Sequence, residues 1–217
     1  MTPSENKHHL TRRGLLGLGG GLALGALAGA EAYAVAAPRV YTRTEWSARP
    51  PRSATQVIAK PDHIVIHHTA SSNVTDYSLA AAYRVSHWIQ DLHMDRNGWI
   101  DAGQQLTISR GGYLLEGRSK SLSSINNRLN VLGAQTANHN SHTIGIEHEG
   151  IYVTANVTTA LFEKSVLTCA WLCQQYGLDP HNAIVGHRDY NSTQCPGDVF
   201  YARLPELRDR VATALNA

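Results

Sequence analysis

The 217-residue chain has only three cysteines, two phenylalanines and two methionines, and its formal net charge is +2. Three cysteines allow at most one internal disulfide, so a scaffold stapled by several bridges is excluded. The near-balance of charge, with no basic stripe and no run of like charges, argues against a nucleic-acid binder and against a charged, disordered tail. Beyond the first forty residues there is no internal repeat and no low-complexity segment, which removes solenoids and arrays. A strong membrane span is also lacking. The uncharged run "GLLGLGGGLALGALAGA", Gly14 to Ala30, is too glycine-rich and too weakly apolar for one.

That run belongs to a different pattern. Lys7, Arg12 and Arg13 form a basic head ahead of it, with the paired arginines set in "TRRGLL". Small residues, Ala34-Val35-Ala36-Ala37, follow as an A-x-A-like cleavage site. This order predicts a twin-arginine-type signal peptide over residues 1–36, and a protein that is secreted or held in the cell envelope. No stable membrane association is expected after cleavage. The remaining chain, 41–217, is long enough for one domain with a real core.

The periodicity predicts strands alternating with helices. "HIVIHHT", His63 to Thr69, "HTIGIEHEG", His142 to Gly150, and "AIVGH", Ala183 to His187, read as short buried strands. "QQLTISR-GG-YLLEG" reads as a hairpin, with Gly111-Gly112 supplying positive φ in the turn. Helices are predicted over "TDYSLAAAYRVSHWIQDLH", ended by Asn97-Gly98, over 158–176, ended by Gly177, and over "ARLPELRDRVATAL". Cys169 and Cys173 fall on the same face of the second helix as Phe162 and Val166, which makes them small buried residues. The expected fold is a single α/β domain with a central mixed β-sheet flanked by helices.

Cys195 needs another explanation. It lies among Asn, Ser, Thr and Gln, eight residues after a histidine, in "GHRDYNSTQCPG". It could be a redox thiol, a nucleophile or a metal ligand. Two predicted strands end in histidine, "VIHH" and "VGH", so His67 or His68, His187 and Cys195 can converge at the rim of a rigid sheet. Two imidazoles and one thiolate make a three-ligand zinc set that leaves the fourth tetrahedral position open, as catalytic sites do. A nucleophilic Cys195 paired with His187 would leave His67 unexplained. A nucleobase-deaminase site would need His-x-Glu and Pro-Cys-x-x-Cys, and the chain has neither the order nor the second cysteine.

"RTEWSARPP", "IVIHHTA", "EGR" at 116–118, "TIGIE" and "GHRDYNSTQCPGD" together resemble, in order, the signature segments of the type 2 N-acetylmuramoyl-L-alanine amidases and the related peptidoglycan recognition proteins. The resemblance implies a mixed sheet flanked by helices and one zinc ion in a groove. It also implies hydrolysis of the amide between the lactyl group of N-acetylmuramic acid and L-alanine, with peptidoglycan as partner. Carried over residue by residue, the zinc ligands are His67, His187 and Cys195, and His68 turns to the other side of its strand. Thr193 matches a position facing the reacting carbonyl, and Glu147 matches a general base. A glutamate between Ile146 and His148 on a buried strand is costly unless paired or used, which supports that role independently.

One departure stands out. Many zinc amidases of this kind read "IGYxF", with a tyrosine that assists the attacking water, whereas this chain has Gln104 there. A glutamine can hydrogen-bond a water or an oxyanion but cannot take a proton. The competing expectation is therefore a non-catalytic peptidoglycan-binding module. Retention of His67, His187 and Cys195 favours the enzyme.

Overall fold

The structure, a computed structural model, describes residues 35–217. The basic head, the apolar run and the expected signal peptide up to residue 34 lie outside the described residues. Among those described, no helix is long and apolar enough to cross a membrane.

Three strands come first: β1 (Val40–Tyr41), β2 (Val57–Ile58) and β3 (His63–His68). Helix α1 (Leu79–Asp91) follows and passes into a π-turn over Leu92–Arg96. Next come β4 (Leu106–Ile108), β5 (Leu114–Glu116), α2 (Ser121–Asn126), β6 (Asn130–Val131) and β7 (Thr143–His148). The chain closes with α3 (Thr159–Tyr176), α4 (Pro180–Ala183), β8 (Ile184–Gly186), α5 (Asp198–Tyr201) and α6 (Leu204–Leu215). Six strands form one sheet in the order β1-β5-β4-β7-β3-β8, and β2 pairs with β6 apart from it. Every neighbouring pair in the large sheet is parallel except the β4–β5 hairpin. The fold is thus a mixed sheet flanked by helices.

Strand alternation divides the sheet into two faces with different jobs. Ile64, Ile66, Leu106, Ile108, Ile144 and Ile146 point to one face, where they pack with Phe162, Val166, Cys169 and Cys173 of α3 and Leu207 and Val211 of α6. Both helix cysteines are buried and unpaired, as the sequence predicts. The opposite face carries Thr107, Glu147 and His67, which lie side by side in register across β4, β7 and β3.

Local chemistry explains the helix limits. Ser78 caps α1, its side chain accepting from the Ala81 N–H, and Thr158 caps α3 by accepting from Leu161. Gly177 ends α3 in the left-handed region at φ 69°. The hairpin differs from expectation in one respect: only Gly112 has positive φ. Gly111 is needed for space instead, since a Cβ there would lie 2.2 Å from the Tyr77 carbonyl oxygen. The last strand is also shorter than predicted. The Asp189 carboxylate accepts from the Gly186 N–H at 2.7 Å, and His187 opens a 3₁₀ turn rather than continuing β8.

Candidate metal centre

β8 pairs with β3 so that Gly186 stands opposite Ile66. His67 and His187 therefore leave adjacent strands together, with ring centroids 4.5 Å apart. Cys195 is returned to them by its own loop. The Arg188 N–H donates to the Cys195 carbonyl at 3.1 Å, and the His68 N–H donates to Cys195 Sγ at 3.3 Å. Sγ lies 3.7 Å from His67 Nδ1, and ligand atoms of His67, His187 and Cys195 all lie within 4.8 Å of one another. His68 is not part of this group. Its ring turns toward Tyr152, whose N–H donates to His68 Nδ1 at 3.3 Å.

Two carboxamides orient the imidazoles. His67 Nε2 lies 2.6 Å from Gln135 Oε1, and His187 Nε2 lies 3.1 Å from Asn191 Oδ1. A carboxamide oxygen only accepts, so each ring carries its proton on Nε2 and leaves Nδ1 as a bare lone pair. Gln135 is itself fixed, because its Nε2 donates to Thr143 Oγ1 at 2.8 Å. It lies over Gly145, where a Cβ would sit 2.7 Å from the Gln135 side chain. Sequence reasoning missed Gln135 and Asn191. A signal for Gln135 was present in Gly145: a glycine inside a buried strand marks a close approach.

The electrostatics leave three neutral donors. Burial, reinforced by His187, pushes His67 well below the ordinary imidazole value. Burial pushes the Cys195 thiol up to about 12, against the pull of the His68 N–H. Nearby stands Glu147, the in-register neighbour of His67. The residue is half-buried, but its Oε2 is shielded from solvent and has no hydrogen-bond partner. Burial raises its pKa to about 8. Two bare nitrogens and a thiol form a three-donor set with the nitrogen–sulfur mixture and the open fourth position that zinc takes, and the unpaired Glu147 oxygen stands nearby.

These groups line a cleft of about 290 Å³ with Trp99, Ala134 and Thr193. It adjoins a larger groove of about 550 Å³ that shares Trp99, Gln135, His187 and Thr193 and adds Asn140 and Asn191. Thr193 is exposed, and its Oγ1 accepts from the Cys195 N–H at 3.2 Å. A third cavity, of about 310 Å³ beside Val74, Arg84 and Trp88, contains none of the three candidate ligands. Gln104 does not line the cleft. It is 1% exposed, and its Nε2 donates to Thr107 Oγ1 at 2.9 Å while its Oε1 is shielded and unpaired. The residue expected to meet a water is thus one side chain removed, behind the neighbour of Glu147.

The fold and these residues define a type 2 amidase or peptidoglycan recognition domain, and the comparisons agree. The family profile for N-acetylmuramoyl-L-alanine amidase matches residues 58–198, and the chain belongs to this family. The chain is similar to peptidoglycan-recognition protein SC2 of Drosophila simulans, 32% identical over 166 residues that span 76% of this chain and 84% of that protein. It is 31% identical over 172 residues to the N-acetylmuramoyl-L-alanine amidase of Sus scrofa, covering 77% of this chain but 27% of that longer protein. Wild-type Drosophila PGRP-LB superposes with a TM-score of 0.66 at 26% identity, covering 76% of this chain and 92% of that one. A structure of a PGRP-LB mutant in complex with tracheal cytotoxin superposes at 0.67 and the same identity and coverage. Membership in the family supports either hydrolysis of peptidoglycan or its recognition.

Proposed function

We propose that this chain is a zinc-dependent N-acetylmuramoyl-L-alanine amidase that cuts the amide between the lactyl group of N-acetylmuramic acid and L-alanine in peptidoglycan. The observation that carries the reading is the convergence of His67, His187 and Cys195 beside an unpaired Glu147. Nδ1 of each histidine and Sγ of Cys195 would hold the ion. Zinc bound there supplies Lewis acidity, polarising a carbonyl and making a water easier to deprotonate.

The remaining work falls to the chain. Glu147 takes a proton from a water that adds to the amide carbon. The C–N bond then breaks, and Glu147 returns the proton to the departing amine. The products are a free lactyl carboxylate and a new L-alanine amino terminus. Thr193, at the open rim, donates its hydroxyl to the reacting carbonyl oxygen. Gln104 supports Thr107 and so steadies the row in which Glu147 stands. The groove past Trp99 and Asn191 takes the muropeptide, a reading supported by the tracheal cytotoxin complex of PGRP-LB.

Incubating the purified mature protein with intact peptidoglycan tests this. New L-alanine amino termini should form and should vanish with chelator. The second reading, a recognition module without turnover, rests on Gln104 standing where the resembled amidases carry tyrosine. Binding of peptidoglycan without any new termini would establish it. Export by the twin-arginine route, with cleavage near Ala36-Ala37, belongs to the same proposal. Replacing Arg12 and Arg13 by lysine should abolish export.

A further inference from the structure

We infer that this domain holds a second transition-metal site, built from Asp62, His63 and His142 at the opposite end of β3 from His67. Ligand atoms of these three residues lie within 4.8 Å of one another. His63 and His67 share a face of β3 four residues apart, which separates the two centres by about 13 Å along the strand. The site owes nothing to the proposed amidase chemistry.

The arrangement is more than a surface ion pair. One oxygen, Asp62 Oδ1, lies 2.6 Å from His63 Nδ1 and 2.8 Å from His142 Nδ1. Both imidazoles therefore aim their Nδ1 atoms at one point. Among the described residues, those two histidines are the only ion-pair partners of Asp62, and no lysine or arginine balances it.

Two further groups prepare the site. His139 Nδ1 lies 3.1 Å from His142 Nε2. When His142 Nδ1 turns from donor to metal ligand, its proton must move to Nε2, and His139 can then accept it there. An outer partner of this kind is what metal-bound histidines ordinarily have. The Tyr190 ring walls the cluster, with centroids 4.2 Å from His139, 5.8 Å from His142 and 5.9 Å from His63. Two imidazoles and one carboxylate, with positions left for water, suit zinc, nickel or copper(II) rather than magnesium or calcium. A bound ion would clip the start of β3 to the segment before β7, next to the loop that carries His187 and Cys195.

Equilibrium dialysis of untagged protein against zinc, with metal content measured directly, tests this. The parent should hold two equivalents, the second weaker than the first. Asp62→Asn and His142→Ala should each lose the second equivalent and keep the first. His139→Ala should weaken the second by ~10–100-fold, the usual effect of removing an outer partner. Cys195→Ala should do the reverse, losing the first and keeping the second. With cobalt(II), the thiolate charge-transfer band should follow Cys195 and be untouched by Asp62→Asn. Thermal melts of the metal-free variants identify any that fail to fold, and Asp62, exposed, and His142, half-buried, give two independent substitutions. A parent that saturates at one equivalent overturns the inference. So does a second equivalent that survives Asp62→Asn combined with His142→Ala. Because the amidase reading depends on the first equivalent and this inference on the second, each can fail alone.

Discussion

Replacing Glu147 by glutamine should separate catalysis from stability, because the carboxylate is both the proposed base and a liability. A positioned general base is worth ~10²–10⁴-fold in rate, so turnover on peptidoglycan should fall by about that factor while zinc content stays at its parent level. The stability effect runs the other way. Burial raises the folded pKa from 4.5 to about 8. An acid with a raised folded pKa contributes fully below its unfolded value, and that contribution is lost as pH rises through the folded value. In metal-free protein the parent should therefore weaken between about pH 4.5 and 8, by on the order of 3–5 kcal/mol. Glu147→Gln has no charge to bury and should not show this loss. The gap between variant and parent should grow with pH, and urea melts at pH 5, 7 and 8.5 on chelated protein would measure it. Equal pH profiles would sink the burial argument. Undiminished turnover would remove Glu147 from the chemistry.

Gln135→Leu takes the acceptor from His67 Nε2 and should weaken zinc binding by ~10–100-fold in a chelator competition, with the fold intact. Cys195→Ala should leave well under one equivalent of zinc at the His67–His187 site after dialysis. Gln104→Ala removes one neutral hydrogen bond to Thr107 and should cost about 1 kcal/mol in stability, with a far smaller loss of turnover than Glu147→Gln. Acid should destabilise the domain through His93: burial, then repulsion from Arg118, lowers its pKa from 6.5 to about 4. The unfolded chain takes up that proton first, so stability falls as pH drops through this window, by ~3 kcal/mol. His93→Asn should flatten that part of the melt-versus-pH curve.

The main strands and long helices were legible because each sits on a strong local signal. β3 and β7 read as apolar runs since both their faces are covered, and α3 carries Thr158 and Gly177 at its ends. The zinc-type triad was legible because "VIHH" and "VGH" end strands that pair. What escaped is what depends on distant contact. β2 and β6 hold only two residues each, and α2, α4 and α5 are too short to show a period. Gln135 lies in a polar loop whose residues look interchangeable until Gly145 is seen beneath one of them. Gln104 was placed by the tyrosine it replaces, but a tyrosine reaches further. The shorter glutamine is captured by Thr107 before it reaches the cleft.

The choice between an enzyme and a recognition module turns on the energetic cost of this site in the resting protein. A surface that only binds gains by keeping its polar atoms paired, since each buried orphan costs roughly 1–3 kcal/mol. Here Glu147 Oε2 is shielded and unpaired. Beside it the Cys195 thiol is held near 12 by burial. Both penalties would ease with a dication held by His67, His187 and Cys195, because a nearby positive charge favours thiolate and carboxylate alike. The two histidines already present bare Nδ1 atoms, so their tautomers need no rearrangement for that cation. Recognition alone would not select a carboxylate over an amide at 147, where an amide costs less above pH 5. A proton acceptor would. On the proposed amidase reading, with no tyrosine at 104, the whole proton transfer falls to Glu147. If the parent binds zinc at His67, His187 and Cys195, binds peptidoglycan and still releases no L-alanine termini, that inference from cost to catalysis fails. The carboxylate would then have to be explained as a second-sphere partner of the metal alone.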